Sequence, residues 1–109
     1  MITTVIVWLQ DLTSEHRNPS HAQIAIMNAM AKTIAPGFVA EVDIFIDDTR
    51  TLQTTVRTWP SAETAQAWVD YVTANHTVES ATVHLEPVDT APFGELIKAW
   101  TGDEIRRIF

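Results

Sequence analysis

The sequence predicts an α+β domain, one antiparallel sheet carrying two helices on one of its faces. Three observations support this. Stretches with strand-like alternation or β-branched and aromatic content recur at residues 3–10, 38–47, 51–59 and 78–86. Apolar residues at helical spacing fill residues 20–35 and 61–75, between the first and second and between the third and fourth of those strands. Turn-forming pairs and triplets, namely Pro36-Gly37, Asp47-Asp48 and Trp59-Pro60-Ser61, separate the segments.

Residues 3–10 form the first strand, with Val5, Val7 and Leu9 on one face and Thr4, Ile6, Trp8 and Gln10 on the other. Large apolar groups on both faces imply that neither face is fully wet. Residues 11–18 are polar and read as a loop. Asn18-Pro19 then gives a cap and a first-turn proline to a helix with Ile24, Met27, Ala31 and Ile34 along its stripe, widened by Ile26 and Met30. Pro36-Gly37 ends it, because Pro disfavours the α conformation in Ala35 and Gly tolerates a left-handed turn. In residues 38–47, Val42, Ile44 and Ile46 oppose Glu41, Asp43, Phe45 and Asp47. The turn at 47–50 leads to a strand in which Leu52, Thr54, Val56 and Thr58 oppose Gln53, Thr55, Arg57 and Trp59, so the two strands make a hairpin.

Pro60 stops that ladder and Ser61 caps a second helix, with Ala65, Trp68, Val69 and Val72 as its stripe and Glu63 at the positive end of its dipole. Asn75-His76 ends this helix. The last strand sets Ala81, Val83 and Leu85 against Thr82, His84 and Glu86, and Pro87 closes it. The domain is expected to span residues 1–87. Residues 88–109 form an extension, with a short helix expected around 93–100. Its apolar residues Ile105, Ile108 and Phe109 predict docking on the body or on a partner subunit.

The totals narrow the function classes. A chain of 109 residues with 46% hydrophobic and 19% charged side chains suits one folded domain. Fourteen acidic against seven basic residues, a net charge of −7, argue against nucleic-acid binding and against an anionic membrane surface. Arg106-Arg107 is the one basic pair, and it lies in an acidic tail. With no Cys there is no disulfide, iron–sulfur ligation or thiol chemistry. Residues 2–7 lack the features of a signal peptide, and no apolar run approaches the roughly 20 residues that span a bilayer, so a soluble cytoplasmic chain is expected. His16 and His21 lack the spacing of a helical zinc pair and an evident third ligand. Neither metal nor cofactor is expected.

The order βαββαβ with right-handed crossovers places both helices on one face of the sheet, a ferredoxin-like arrangement with the first strand between the third and fourth. The helix-facing set is expected to be Val5, Val7, Leu9, Val42, Ile44, Ile46, Val56, Ala81, Val83 and Leu85. The open face then holds Ile6, Trp8, Gln10, Glu41, Asp43, Phe45, Gln53, Thr55, Arg57, Trp59, Thr82, His84 and Glu86. Aromatics mixed with charges suit a face covered by a second copy of the chain with a cavity between the copies.

This layout resembles the dimeric α/β-barrel superfamily, which includes antibiotic-biosynthesis-monooxygenase-like and stress-responsive barrel proteins. The likeness is carried by the strand from Thr4 to Trp8, the hairpin around Asp48, and Trp59-Pro60-Ser61-Ala62-Glu63 leading into Ala67-Trp68, across residues 2–87. It implies a homodimer packed sheet to sheet and a polar pocket, and in some members oxidation of aromatic substrates without metal or flavin. No family catalytic motif matches residue by residue, so no catalytic role carries over.

Each candidate side chain has two readings. His84 near Glu86 and Arg57 has the chemistry of a general base, against a hydrogen-bonded interface histidine. Trp8 and Trp59 can stack on a planar ligand or anchor an interface. Glu41 and Asp43 can bind a cation or pair with Arg57. Trp68 reads as core, while Trp100 with Phe93 and Phe109 can lid a pocket or dock the tail across a dimer. The leading expectation is a homodimeric domain of unknown role that binds a small organic ligand through Trp8, Arg57, Trp59 and His84. The alternatives are a cofactor-independent monooxygenase or isomerase with His84 as base, and a structural or assembly subunit.

Overall fold

Eight backbone elements follow one another in the computed structural model, which describes residues 2–9 and 21–100. They are β1 (Ile2–Leu9), α1 (His21–Ile34), β2 (Val42–Ile46), β3 (Leu52–Trp59), α2 (Ala62–Asn75), β4 (Ser80–His84), a 3-10 turn at Ala91–Phe93, and β5 (Glu95–Trp100). The strands form one antiparallel sheet in the order β4-β1-β3-β2-β5, so the class is α+β, a five-stranded sheet with two helices. The loop at 11–18, the Asn18-Pro19 cap, His16, Arg106-Arg107 and the Ile105, Ile108 and Phe109 cluster lie outside the described residues, as does the side chain of His21.

Local chemistry sets the element boundaries. Ser61 sits in extended conformation before α2 and its hydroxyl accepts from the backbone N–H of Thr64 at 3.2 Å, as its place after Pro60 predicts. The far end of α2 closes with the His76 N–H on the Val72 carbonyl at 2.9 Å. Gly37, at φ 73°, takes the left-handed turn after α1. In the β2–β3 turn one Asp47 carboxylate oxygen accepts from the backbone N–H groups of Thr51 and Leu52. The other accepts from the hydroxyls of Thr49 and Thr51.

The pairing register reverses two of the predicted faces. Ile2 lies opposite Trp59, Thr4 opposite Arg57, Ile6 opposite Thr55 and Trp8 opposite Gln53, and this row lies beneath the helices. Val42, Ile44 and Ile46 of β2 and Ala81 and Val83 of β4 face the helices, as expected. Val5 and Val56, expected under the helices, instead pack on the other face with Phe45, Val88 and Phe93. Leu9 and Leu85, also expected in the core, are 56% and 67% exposed. Residue size decides the matter. Both faces of β1 are apolar, so alternation alone cannot choose between them. The helices present small residues at Ala31 and Ala65, with Ala35 just past the end of α1, and the space this leaves is filled by the indoles of Trp8 and Trp59, 2% and 1% exposed.

The region expected as a helix around 93–100 is instead β5, antiparallel to β2 with a register shift between Ile44 and Phe45. Without it, β2 would be an apolar edge strand with a row of unpaired backbone groups. Gly94 makes the entry possible. It has φ 103°, and a Cβ there would collide with the carbonyl oxygen of Ile46. No helix among the described residues is long and apolar enough to cross a membrane.

Candidate functional site

The helix-facing row of β1 and β3 builds the site. Strand spacing of about 3.3 Å per residue puts Gln53, Thr55 and Arg57 in line on β3, beside Trp8 on β1 and Val42 and Ile44 on β2. Over them lie Ile24 and Met27 of α1 and Trp68 of α2, while Trp100 closes the β5 side. Together these residues line a cavity of about 90 Å³, partly open to solvent, with mostly apolar walls.

Hydroxyl groups fix the aromatic walls. The indole N–H of Trp8 donates to the hydroxyl of Thr55 at 3.1 Å, and that of Trp59 donates to the hydroxyl of Thr4 at 3.0 Å. Thr4 is itself buried and donates to the Arg57 carbonyl at 3.5 Å. Buried indoles need such acceptors, because an unpaired N–H away from water costs about 1–3 kcal/mol. Sequence reading overlooked this role for Thr4 and Thr55. Their signal is faint: threonines alternating with large apolar residues on a face that turns out to be dry.

Arg57 is the charged group of the site and is only 7% exposed. Its guanidinium carbon lies 5.2 Å from the Trp68 ring centroid and 5.5 Å from that of Trp59. Ring faces attract a cation and offset part of its desolvation cost. Burial pushes the Arg57 pKa down to about 10, so the side chain remains a cation at neutral pH.

A run of aromatic contacts continues from this point. Trp59 meets Trp68 at 5.5 Å, Trp68 stacks on Tyr71 at 5.8 Å, and His76 sits edge-on to Tyr71 at 6.0 Å and to Trp8 at 5.9 Å. Both ring nitrogens of His76 are shielded from solvent and have no hydrogen-bond partner among the described residues. Burial holds its pKa below the usual histidine value. Nothing in the sequence marks His76 beyond its position at a helix end.

Three of the four sequence-predicted site residues lie on one side of the sheet, and two of them, Trp8 and Arg57, line the cavity. Trp8, Arg57 and Trp59 share one side of the sheet, but it is the helix side, not the open face expected for them. His84 does not join them. It lies opposite Thr3 on the other face, where its Nε2 is 2.7 Å from the Thr82 hydroxyl. Asp43 also takes the face away from Arg57, opposite Val56, so the expected Asp43–Arg57 pairing is not formed. Burial, and then the charge of Glu41, raise the Asp43 pKa. Among the described residues no group of three or more His, Asp or Glu stands close enough to hold a metal ion. In comparisons with known proteins, no family model, curated protein or solved structure matches the chain.

Proposed function

We propose that this chain is a ferredoxin-like binding domain that takes a small organic molecule in the cavity between the sheet and α1. One observation carries the reading: a buried cation, Arg57, stands with Gln53 and Thr55 in the wall of a cavity whose remaining lining is indole and apolar side chains. Binding sites commonly combine apolar walls with a few placed polar groups that fix orientation. At about 90 Å³ the space is smaller than the roughly 150 Å³ cavity known to hold benzene, so the molecule or its inserted end is small. An oxygenase or isomerase reading has less support, because His84, the base assigned to it, lies on the far side of the sheet.

Methyl NMR tests the reading with 2-furoate and 2-furamide as probes. At millimolar concentration at least one of them is expected to shift Met27 and Ile44 signals while leaving Val7, on the other face, unmoved. Val42→Phe, which fills the space, should abolish the shifts. Silence from both probes, or shifts confined to the Val7 face, would refute the site.

A second reading has its own observation. Leu9 and Leu96, 56% and 50% exposed, stand at one end of the open face, as does half-buried Leu52 opposite Leu9. Such a row favours a homodimer through that face, in the manner of the dimeric α/β-barrel proteins.

A further inference from the structure

We propose that the molecule this cavity takes is a small flat carboxylate, its anionic end received by Arg57 and Thr55 and its body held among the indoles of Trp8, Trp68 and Trp100. The inference rests on the binding reading above and adds the charge and shape of the ligand.

Charge is the first consideration. The Arg57 guanidinium lines the cavity in surroundings poor in water, where an anion is attracted far more strongly than at a wet surface. A guanidinium carries five N–H donors in a planar fork, so it can receive a carboxylate while serving other acceptors. A neutral ligand would gain the apolar contacts and little from that charge.

Thr55 supplies the second donor. It stands two residues from Arg57 on the same face of β3, about 6.6 Å along the strand. Its hydroxyl oxygen accepts the Trp8 indole N–H at 3.1 Å, and its own O–H remains to donate toward the cavity. Arg57 and Thr55 thus offer donors to a carboxylate from one face of the same strand.

Shape follows from the walls. Three indoles line a space of about 90 Å³, which suits a small planar ring or the flat end of a molecule and does not hold a whole nucleotide or sugar phosphate within its walls. A fully hydrated inorganic anion is disfavoured because the apolar walls cannot replace its water.

Calorimetric titration of the full chain with 2-furoate, its neutral isostere 2-furamide and inorganic phosphate tests the proposal. Furoate is expected to bind at least tenfold more tightly than furamide, and phosphate to show no binding. Arg57→Met should reduce the furoate-to-furamide ratio to about one. Should that variant not fold, the ratio in the unaltered protein decides. Equal or tighter binding of furamide would overturn the carboxylate assignment and leave the binding reading standing, as would phosphate competing with furoate. No heat from any of the three, together with no methyl shifts, would overturn both.

Discussion

Thr4 fixes the Trp59 indole through one hydroxyl, in a place where water cannot substitute for it. Thr4→Val keeps the shape, removes the acceptor and leaves a buried N–H unpaired. We expect it to destabilise the protein by about 1–3 kcal/mol in urea unfolding, with an unchanged denaturant slope. A loss within about 0.5 kcal/mol, the range of ordinary surface changes, would mean that the indole finds another partner. Why Thr4 escapes sequence reading is plain in the register. Alternation puts Thr4 on the face of Ile6 and Trp8, but its bond to Trp59 depends on Thr4 pairing with Arg57, 53 residues away. The Trp8, Arg57 and Trp59 grouping was legible because those residues share a parity on their strands. Which way that parity points was not, since it depends on how much space the alanines of the helices leave.

At the scale of elements, punctuation was the most legible feature. Pro60 and Ser61 mark the start of α2, and Pro36-Gly37 marks the end of α1, because each acts through its own backbone preferences. β5 was not legible. Glu95, Leu96, Lys98 and Ala99 are good helix formers, and what overrides them is the open edge of β2. Gly94 is the place to test this. Gly94→Val brings a branched side chain to a positive φ and against the Ile46 carbonyl, so β5 should detach. Amides of β2 and β5 are expected to exchange faster with solvent while those of β1 remain protected. Unchanged protection throughout would show that the backbone accommodates the side chain.

Across the whole molecule, acid should weaken the fold in two stages. In the folded chain burial favours neutral His76, so the unfolded imidazole takes up a proton more readily. Stability is therefore full above the unfolded pKa of about 6.5 and falls as pH drops from there toward the lower folded value. Asp47 adds a second stage. The Thr49 hydroxyl, the backbone N–H groups and the Thr51 hydroxyl hold its carboxyl below the usual range. Its contribution persists above about pH 3.9 and is lost below it. His76→Gln should reduce the loss in melting temperature between pH 7.5 and 5.5. An equal loss in the two proteins would remove His76 from the account. Assembly belongs to the same scale. Light scattering at tens of micromolar is expected to give a dimer, and Leu96→Glu a monomer. A monomeric unaltered protein would end the homodimer reading.

The gathering of large rings on one side of the sheet makes the molecule optically one-sided. The chain has four tryptophans and one tyrosine, and all five belong to the helix-facing side, in or beside its core and cavity. The opposite face has Phe45 and Phe93 for its aromatic contact. Intrinsic emission will therefore follow events between helices and sheet, such as ligand entry or core melting. It will be nearly blind to two copies meeting across the other face, and an emission-monitored dilution series would miss dissociation unless a reporter were placed there, for example by Phe45→Trp.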